Sequence, residues 1–305
     1  MNIKWLGDPH LGRKFENGVP LHRRGEREEK QWDKFRTALM TTDAEVHVTM
    51  GDLFDKFIVA PEVVLRAAYT YADAINQNPN TLYVVLRGNH DVSRNMDKSS
   101  SFELFDAITH DWENLWVIST PTVYENVLFV PYDPFNYDLL EEYITEEVDT
   151  VYSHFDIVDF GGHNVIPAEM FSRNGIKFVR NGHDHLARVE RRAGIEIIVT
   201  GSMEPFTHAE DPEQKAYITL TLAELAGRDL TNMNVRVLLA DGETLPTDID
   251  CLSLTAKRVS SDEIATVDTS TFDALDLGDM LSDALGGLAV KDLIMGFYHD
   301  HKTVS

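Results

Sequence analysis

The stretch FVRNGHDHLARV, residues 178–189, sets His183 and His185 on either side of Asp184, directly after a short apolar run. On a strand, alternate side chains point to the same face. In the tight turn after a strand they can instead converge on one spot. Either geometry suits a metal ion, although a solvated polar loop could carry the same letters. The rest of the sequence decides between them.

Working outward, the same grammar recurs. NIKWLGDPH runs a strand into Asp8 and His10, and AEVHVTMGDLFD runs one into Asp52 and Asp55. TLYVVLRGNHD leads into Asn89, His90 and Asp91, and DTVYSHFD into His154. IEIIVTGSMEP ends in a Gly-Ser turn, and QKAYITLTL follows with alternating faces. Between them, GEREEKQWDKFRTALM places Trp32, Phe35, Leu39 and Met40 near one helical face. APEVVLRAAYTYADAI opens a second helix with Pro61 in its first turn. SSSFELFDAI and YDLLEEYI read as shorter helices. Strands alternating with helices indicate an α/β sheet protein. In open sheets of that kind, ligands bind beyond the carboxyl ends of the strands.

The chain has 305 residues, 43% of them apolar, enough for one large domain and a small appendage. Its single cysteine, Cys251, excludes an internal disulfide and a thiolate-rich metal site, and fits a reducing compartment. No apolar run is long enough to span a membrane. The N-terminal MNIKWLGDPH lacks a basic region followed by a long apolar run, so a cytoplasmic protein is expected. The net charge of −24 argues against non-specific coating of nucleic acid. From about residue 241 the sequence turns polar and weakly periodic, which predicts a domain over 1–240, an acidic linker over 241–271 and an amphipathic helical tail over 272–305.

Five strand ends thus carry seven residues of metal-ligand type: Asp8, His10, Asp52, Asn89, His154, His183 and His185. Imidazole, carboxylate and amide together suit manganese, iron or zinc, and suit calcium poorly because calcium wants only oxygen. Seven ligands exceed one tetrahedral site but serve two metals that share a carboxylate. Two metals a few Å apart clamp the attacking and leaving oxygens of a phosphoryl displacement. His163 in FGGHN lies near His154; His154 is preferred because it directly follows the run TVYS. Asp91 reads as a cap on its turn.

The ordered set D-P-H, G-D-L-F-D, G-N-H-D, S-H and G-H-D-H resembles the calcineurin-like metallophosphoesterase superfamily over roughly the first two hundred residues. The resemblance implies a four-layer α/β sandwich, two mixed β-sheets face to face with helices outside. It implies that Asp8, His10, Asp52 and His185 hold one metal. Asp52 would bridge to a second held by Asn89, His154 and His183. His90 would be left to protonate the leaving oxygen or stabilise the pentacoordinate phosphate, with Asp55 orienting it.

Three further features are similar to the SbcD family, the nuclease subunits of SbcCD-type DNA repair complexes. They are the arm HLGRKFENGVPLHRRGEREEKQWDKFRTAL, the segment GDLFDKFIVAP, and the turn VTGSMEPF. A phosphoprotein phosphatase would be expected to read G-N-H-E and to carry arginine where this chain has Lys56. The resemblance implies a divalent-metal-dependent DNA nuclease using two ions, Mn2+ foremost. Its expected partners are DNA and an SbcC-type coiled-coil ATPase subunit, with a homodimer as a further expectation. Two other functions are open: a phosphodiesterase or phosphatase for nucleotides or small phosphoesters, and a scaffold subunit that binds an ATPase. The arm is locally basic, with eight Lys/Arg against five Asp/Glu in residues 11–36. This places Arg23, Arg24 and Arg27 as candidate phosphate contacts. The chain is short for the family, so a DNA-capping domain after the core is expected to be reduced or missing.

Overall fold

A computed structural model describes residues 1–93, 98–133, 139–158 and 164–259. Short β-branched runs make the first sheet, in the order β1 (Ile3–Leu6), β2 (Val46–Thr49), β3 (Leu82–Leu86) and β4 (Leu115–Ile118), every pairing parallel. The second sheet comprises β5 (Thr122–Tyr124), β6 (Val127–Val130), β7 (Thr150–Ser153), β8 (Phe178–Asn181), β9 (Arg188–Arg192) and β10 (Ile195–Val199). Its order is β5-β6-β7-β8-β10-β9, parallel through the middle and antiparallel at both edges.

Period-two alternation sorts the strand residues into three cores. Val46, Val48, Val84 and Leu86 meet Val127, Phe129 and Tyr152 between the two sheets. The opposite face of the first sheet, with Tyr83 and Val85, packs on three helices through Trp32, Phe35, Leu39, Tyr71 and Phe105. These helices are α1 (Glu26–Met40), α2 (Pro61–Gln77) and α3 (Ser101–Thr109). The opposite face of the second sheet, with Val151, Val179 and Ile197, packs on α4 (Ala168–Arg173) through Ala168 and Phe171. Helix, sheet, sheet, helix is the expected four-layer sandwich.

Local chemistry starts the helices where the sequence places them. Pro61 occupies the first turn of α2, where its missing N–H costs nothing. Ser100 and Glu103 close a reciprocal capping box on α3. Of YDLLEEYI, Leu140–Tyr143 form only a 3-10 turn.

A third sheet has the order β11 (Tyr217–Thr221), β12 (Asn234–Leu239) and β13 (Ser253–Arg258). The last of these strands falls inside the stretch expected to be linker. The described residues divide into two units, 1–236 with 247–255, and 237–246 with 256–259. The site described next belongs wholly to the first. The expected tail over 272–305 lies outside the described residues, as does His163. Among the described residues no helix is long and apolar enough to cross a membrane.

Candidate metal centre

Each motif turn follows the carboxyl end of a parallel strand: Asp8 and His10 after β1, Asp52 after β2, and Asn89 and His90 after β3. His154 follows β7, and His183 and His185 follow β8. The parallel sheets therefore deliver all five turns to one rim. Backbone bonds lock the turns together. His10 N–H donates to Asp52 O at 2.9 Å, His90 N–H to Asp52 Oδ1 at 2.8 Å, and His183 N–H to Asp8 Oδ2 at 2.9 Å. Asp91, fully buried, accepts from the backbone N–H of Leu53, Phe54 and Gly88 at 2.9–3.2 Å, so it ties the G-N-H-D turn to the G-D-L-F turn.

Three of the expected ligands hold left-handed backbone: His10 at φ 48°, Asp52 at φ 46° and His183 at φ 72°. Such conformations persist only where the surroundings over-determine them, and they concentrate at functional sites. The packing leaves no room to relax. A Cβ on Gly51 would lie 2.1 Å from His154 Nδ1, and one on Gly88 would lie 2.1 Å from the Asp52 backbone nitrogen.

Asp8, His10, Asp52 and His185 present one ligand atom each within 4.8 Å of one another, in a cluster compatible with a divalent metal. His10 Nε2 lies 2.9 Å from His185 Nε2 and 3.7 Å from Asp52 Oδ2. The other oxygen of Asp52, Oδ1, faces His154 Nε2 at 3.6 Å. His154 Nε2 and His183 Nδ1 lie 3.0 and 2.8 Å from the same atom, Asn89 Oδ1. All seven expected ligands thus fall in two adjoining groups with Asp52 between them.

The donor set itself fits cations. His154 Nδ1–H donates to the Met50 carbonyl at 2.8 Å, and His183 Nε2 pairs with Asp156 Oδ1 at 2.6 Å. In neutral rings the inner nitrogens are then lone pairs aimed at the Asn89 oxygen, which also has only lone pairs to offer. Asp8 Oδ1 and His10 Nδ1 are buried without a hydrogen-bond partner. A divalent cation at the Asp/His cluster would relieve this surplus of lone pairs.

Electrostatics point the same way. Burial pushes the Asp8 carboxyl up to about 7 against the pull of His154. Burial also raises Asp52, but His154 and His10 outweigh it and hold Asp52 below the ordinary carboxylate range. Burial drives His10 down to about 3, keeping it neutral, the form that ligates metal. His154 is pushed down by burial and then carried up to about 9 by Asp52 and Asp8. The negative charge of Asp52 and Asp8 thus favours a positive charge at His154, and a metal cation would supply that charge with the ring neutral.

His90 stands beside the cluster, its ring 4.8 Å from that of His10. Its Nδ1–H donates to the backbone carbonyl of Asp55 at 2.6 Å. The expected orienting contact from the Asp55 carboxylate is replaced by one from its main chain. The carboxylate turns instead to Arg13 Nη1 at 3.3 Å, and lies 4.0 Å from His10 Nδ1.

Several contributors escaped the sequence reading. Gln31 of α1, fully buried, donates from Nε2 to the Pro9 carbonyl at 2.8 Å and the His10 carbonyl at 3.2 Å. Phe206 packs edge-on against His10 and His185, with ring centroids at 5.2 and 5.7 Å. Arg13 lies over the Phe206 ring at 4.5 Å. A glutamine in a charged helix and a phenylalanine after a proline carry no local signal of such roles.

The model of the calcineurin-like phosphoesterase family matches residues 1–187. No curated protein matches the chain. Among solved structures, GAP50, the anchor in the inner membrane complex of Plasmodium, aligns at 12% identity and TM-score 0.42, covering 67% of this chain and 72% of that one. Phosphopantetheinyl hydrolase of Mycobacterium tuberculosis aligns at 10% identity and TM-score 0.41, covering 70% and 92%. TT1561 of Thermus thermophilus aligns at 12% and 0.38, covering 66% and 89%. A two-sheet sandwich with an Asp/His cluster at its strand ends defines a metal-dependent hydrolase. The chain belongs to the calcineurin-like phosphoesterase family.

Proposed function

We propose that the chain is a DNA nuclease dependent on two divalent ions, Mn2+ foremost, and the nuclease subunit of an SbcCD-like complex. The observation that carries this reading is where the nuclease-like features of the sequence fall. The arm reaches back through Gln31 to hold the Pro9 and His10 carbonyls. The Gly201-Ser202 turn pairs with Asp8, and Met203 N–H donates to Asp8 O at 3.1 Å. Both features wall the D-P-H loop.

Asp8, His10, Asp52 and His185 would hold one ion, and Asn89, His154 and His183 a second shared through Asp52. Such ions supply Lewis acidity at the phosphoryl oxygen and lower the pKa of water from 15.7 toward about 7. His90, with Nδ1–H fixed on the Asp55 carbonyl, keeps Nε2 for proton transfer to the leaving oxygen.

Two observations favour a second reading, a phosphodiesterase or phosphatase for nucleotides or other small phosphoesters. The net charge is −24, and two arginines of the arm are engaged internally. Arg23 is buried against Glu26, Asp250 and the Thr231 carbonyl. Arg27 lies over Phe15 at 3.7 Å and donates to the Tyr217 hydroxyl. Purified protein with Mn2+, offered labelled DNA beside an aryl phosphodiester, separates the readings. Cleavage of the aryl ester with DNA left intact removes the nuclease.

For partners, we place an SbcC-type ATPase on the tail over 272–305. Deleting the tail should leave a folded nuclease that no longer co-purifies with the ATPase. Loss of the core fold on deletion overturns the docking role.

A further inference from the structure

The two histidines of the G-H-D-H turn are each backed by a carboxylate from elsewhere in the chain. His183 directs Nδ1 inward to Asn89 Oδ1 at 2.8 Å, and its outer Nε2 meets Asp156 Oδ1 at 2.6 Å. His185 directs Nε2 inward, 2.9 Å from His10 Nε2, and its outer Nδ1 meets Glu210 Oε1 at 3.4 Å. The rings are thus presented through opposite nitrogens, and the outer nitrogen of each faces an acid.

The acids come from different places. Asp156 follows β7, and Glu210 lies in a 3-10 turn, His208–Glu210, beyond β10. Among the described residues, His183 is the one side-chain partner of the Asp156 carboxylate. Glu210 is itself held, accepting from Phe206 N–H at 2.8 Å and Thr207 Oγ1–H at 3.1 Å. The remaining rings are treated otherwise. His154 donates outward to a neutral carbonyl, Met50 O, and His10 Nδ1 has no hydrogen-bond partner.

A carboxylate on the outer N–H of a ligating imidazole fixes its tautomer and orientation and raises the basicity of the inner nitrogen. We propose that Asp156 and Glu210 are positioning residues, Asp156 for the ion held by His183 and Glu210 for the ion held by His185. The assignment rests on the two-ion reading above. It divides the centre into two halves, each tuned by its own acid, although the two histidines are only two residues apart.

The test is Mn2+ binding by the full chain, measured by calorimetry and by electron paramagnetic resonance. Wild type should bind two ions, with the exchange-coupled spectrum of a close pair. Asp156→Ala should weaken one ion by about 10–100-fold, the range for loss of such a partner, and replace the coupled spectrum by that of a single ion. Glu210→Ala should weaken the other ion by a similar factor. Asp156→Asn and Glu210→Gln, which keep an acceptor oxygen, should recover part of each loss. Should an alanine variant fold poorly, the Asn and Gln variants still decide. So do long-range proton–nitrogen spectra of the Zn2+-loaded wild type, which should show His183 protonated at Nε2 and His185 at Nδ1.

A wild-type stoichiometry of one overturns the two-ion reading and the split assignment with it. Two ions bound by wild type, with affinities unchanged in both alanine variants, overturn only the role of the two acids. The opposite tautomers in the Zn2+ form do the same.

Discussion

His90 is held by the backbone of Asp55, not by its side chain: Nδ1–H donates to the carbonyl oxygen at 2.6 Å while the carboxylate faces Arg13. Truncating Asp55 therefore spares the bond that orients His90. We expect His90→Ala to lower the rate of phosphodiester cleavage by about 10²–10⁴-fold with its metal content intact. Asp55→Ala should cost less, and Asp52→Ala should lose metal as well as rate. Parallel rate and metal analyses of the three variants check this. An emptied metal site in His90→Ala would make His90 a ligand.

Gly51 has φ 110°, and a Cβ there would strike His154 Nδ1. The obstructing atom belongs to a fully buried ring bonded to Met50 O, so it cannot swing aside cheaply. Gly51→Ala should lower stability by at least about 1–3 kcal/mol, the cost of one such strained residue, and reduce metal content. Thermal melting with and without Mn2+ measures both. An unchanged melt in each condition would show that the turn has slack the geometry denies it.

These turns were legible in the sequence because each is a polar cluster set directly behind an apolar strand run. The α/β class followed from strands alternating with helices, and the four layers from the resemblance of the motif set to the metallophosphoesterases. What stayed illegible was made by tertiary pairing. Arg188–Arg192 is a strand although RVERR has no apolar face, because it lies antiparallel along β10. Ser253–Arg258 reads as polar linker, yet it is a strand at the end of the third sheet. Glu210 reaches His185 across 25 positions with no spacing rule to betray it. Arg23 reads as part of a solvated basic run because a sequence cannot show that Asp250 will fold against it.

His47 provides a pH test away from the metal centre. It is buried on β2, 5.8 Å from the Tyr83 ring, with Lys4 opposite it in the register and no partner on Nδ1. Burial, then the Lys4 charge, lowers it from 6.5 to about 4. The folded state thus binds fewer protons than the unfolded state between those values. Its contribution is complete above about pH 6.5 and is lost as pH falls toward 4, by up to about 1.4 kcal/mol per unit. His47→Phe should flatten the decline of Tm over that window relative to wild type. Parallel curves for the two proteins would mean that His47 protonates without cost.

The arm supplies the last test, because the fold sorts its cations. Arg23 is buried and bonded on three sides, and Arg27 is enclosed by Phe15 and Tyr217. Lys14, Arg24 and Lys34 are exposed. Neutralising Arg23 should lower Tm, since Glu26 and Asp250 lose their shared cation. Neutralising Lys14, Arg24 and Lys34 together should leave Tm nearly unchanged. If the arm follows a DNA backbone, the triple change should weaken binding and flatten its salt dependence. Each lost duplex phosphate contact removes about 0.9 from the slope of log K against log salt. Binding titrations at several salt concentrations measure that slope directly. A slope equal to that of wild type would take the arm out of the DNA path and favour the small-phosphoester reading.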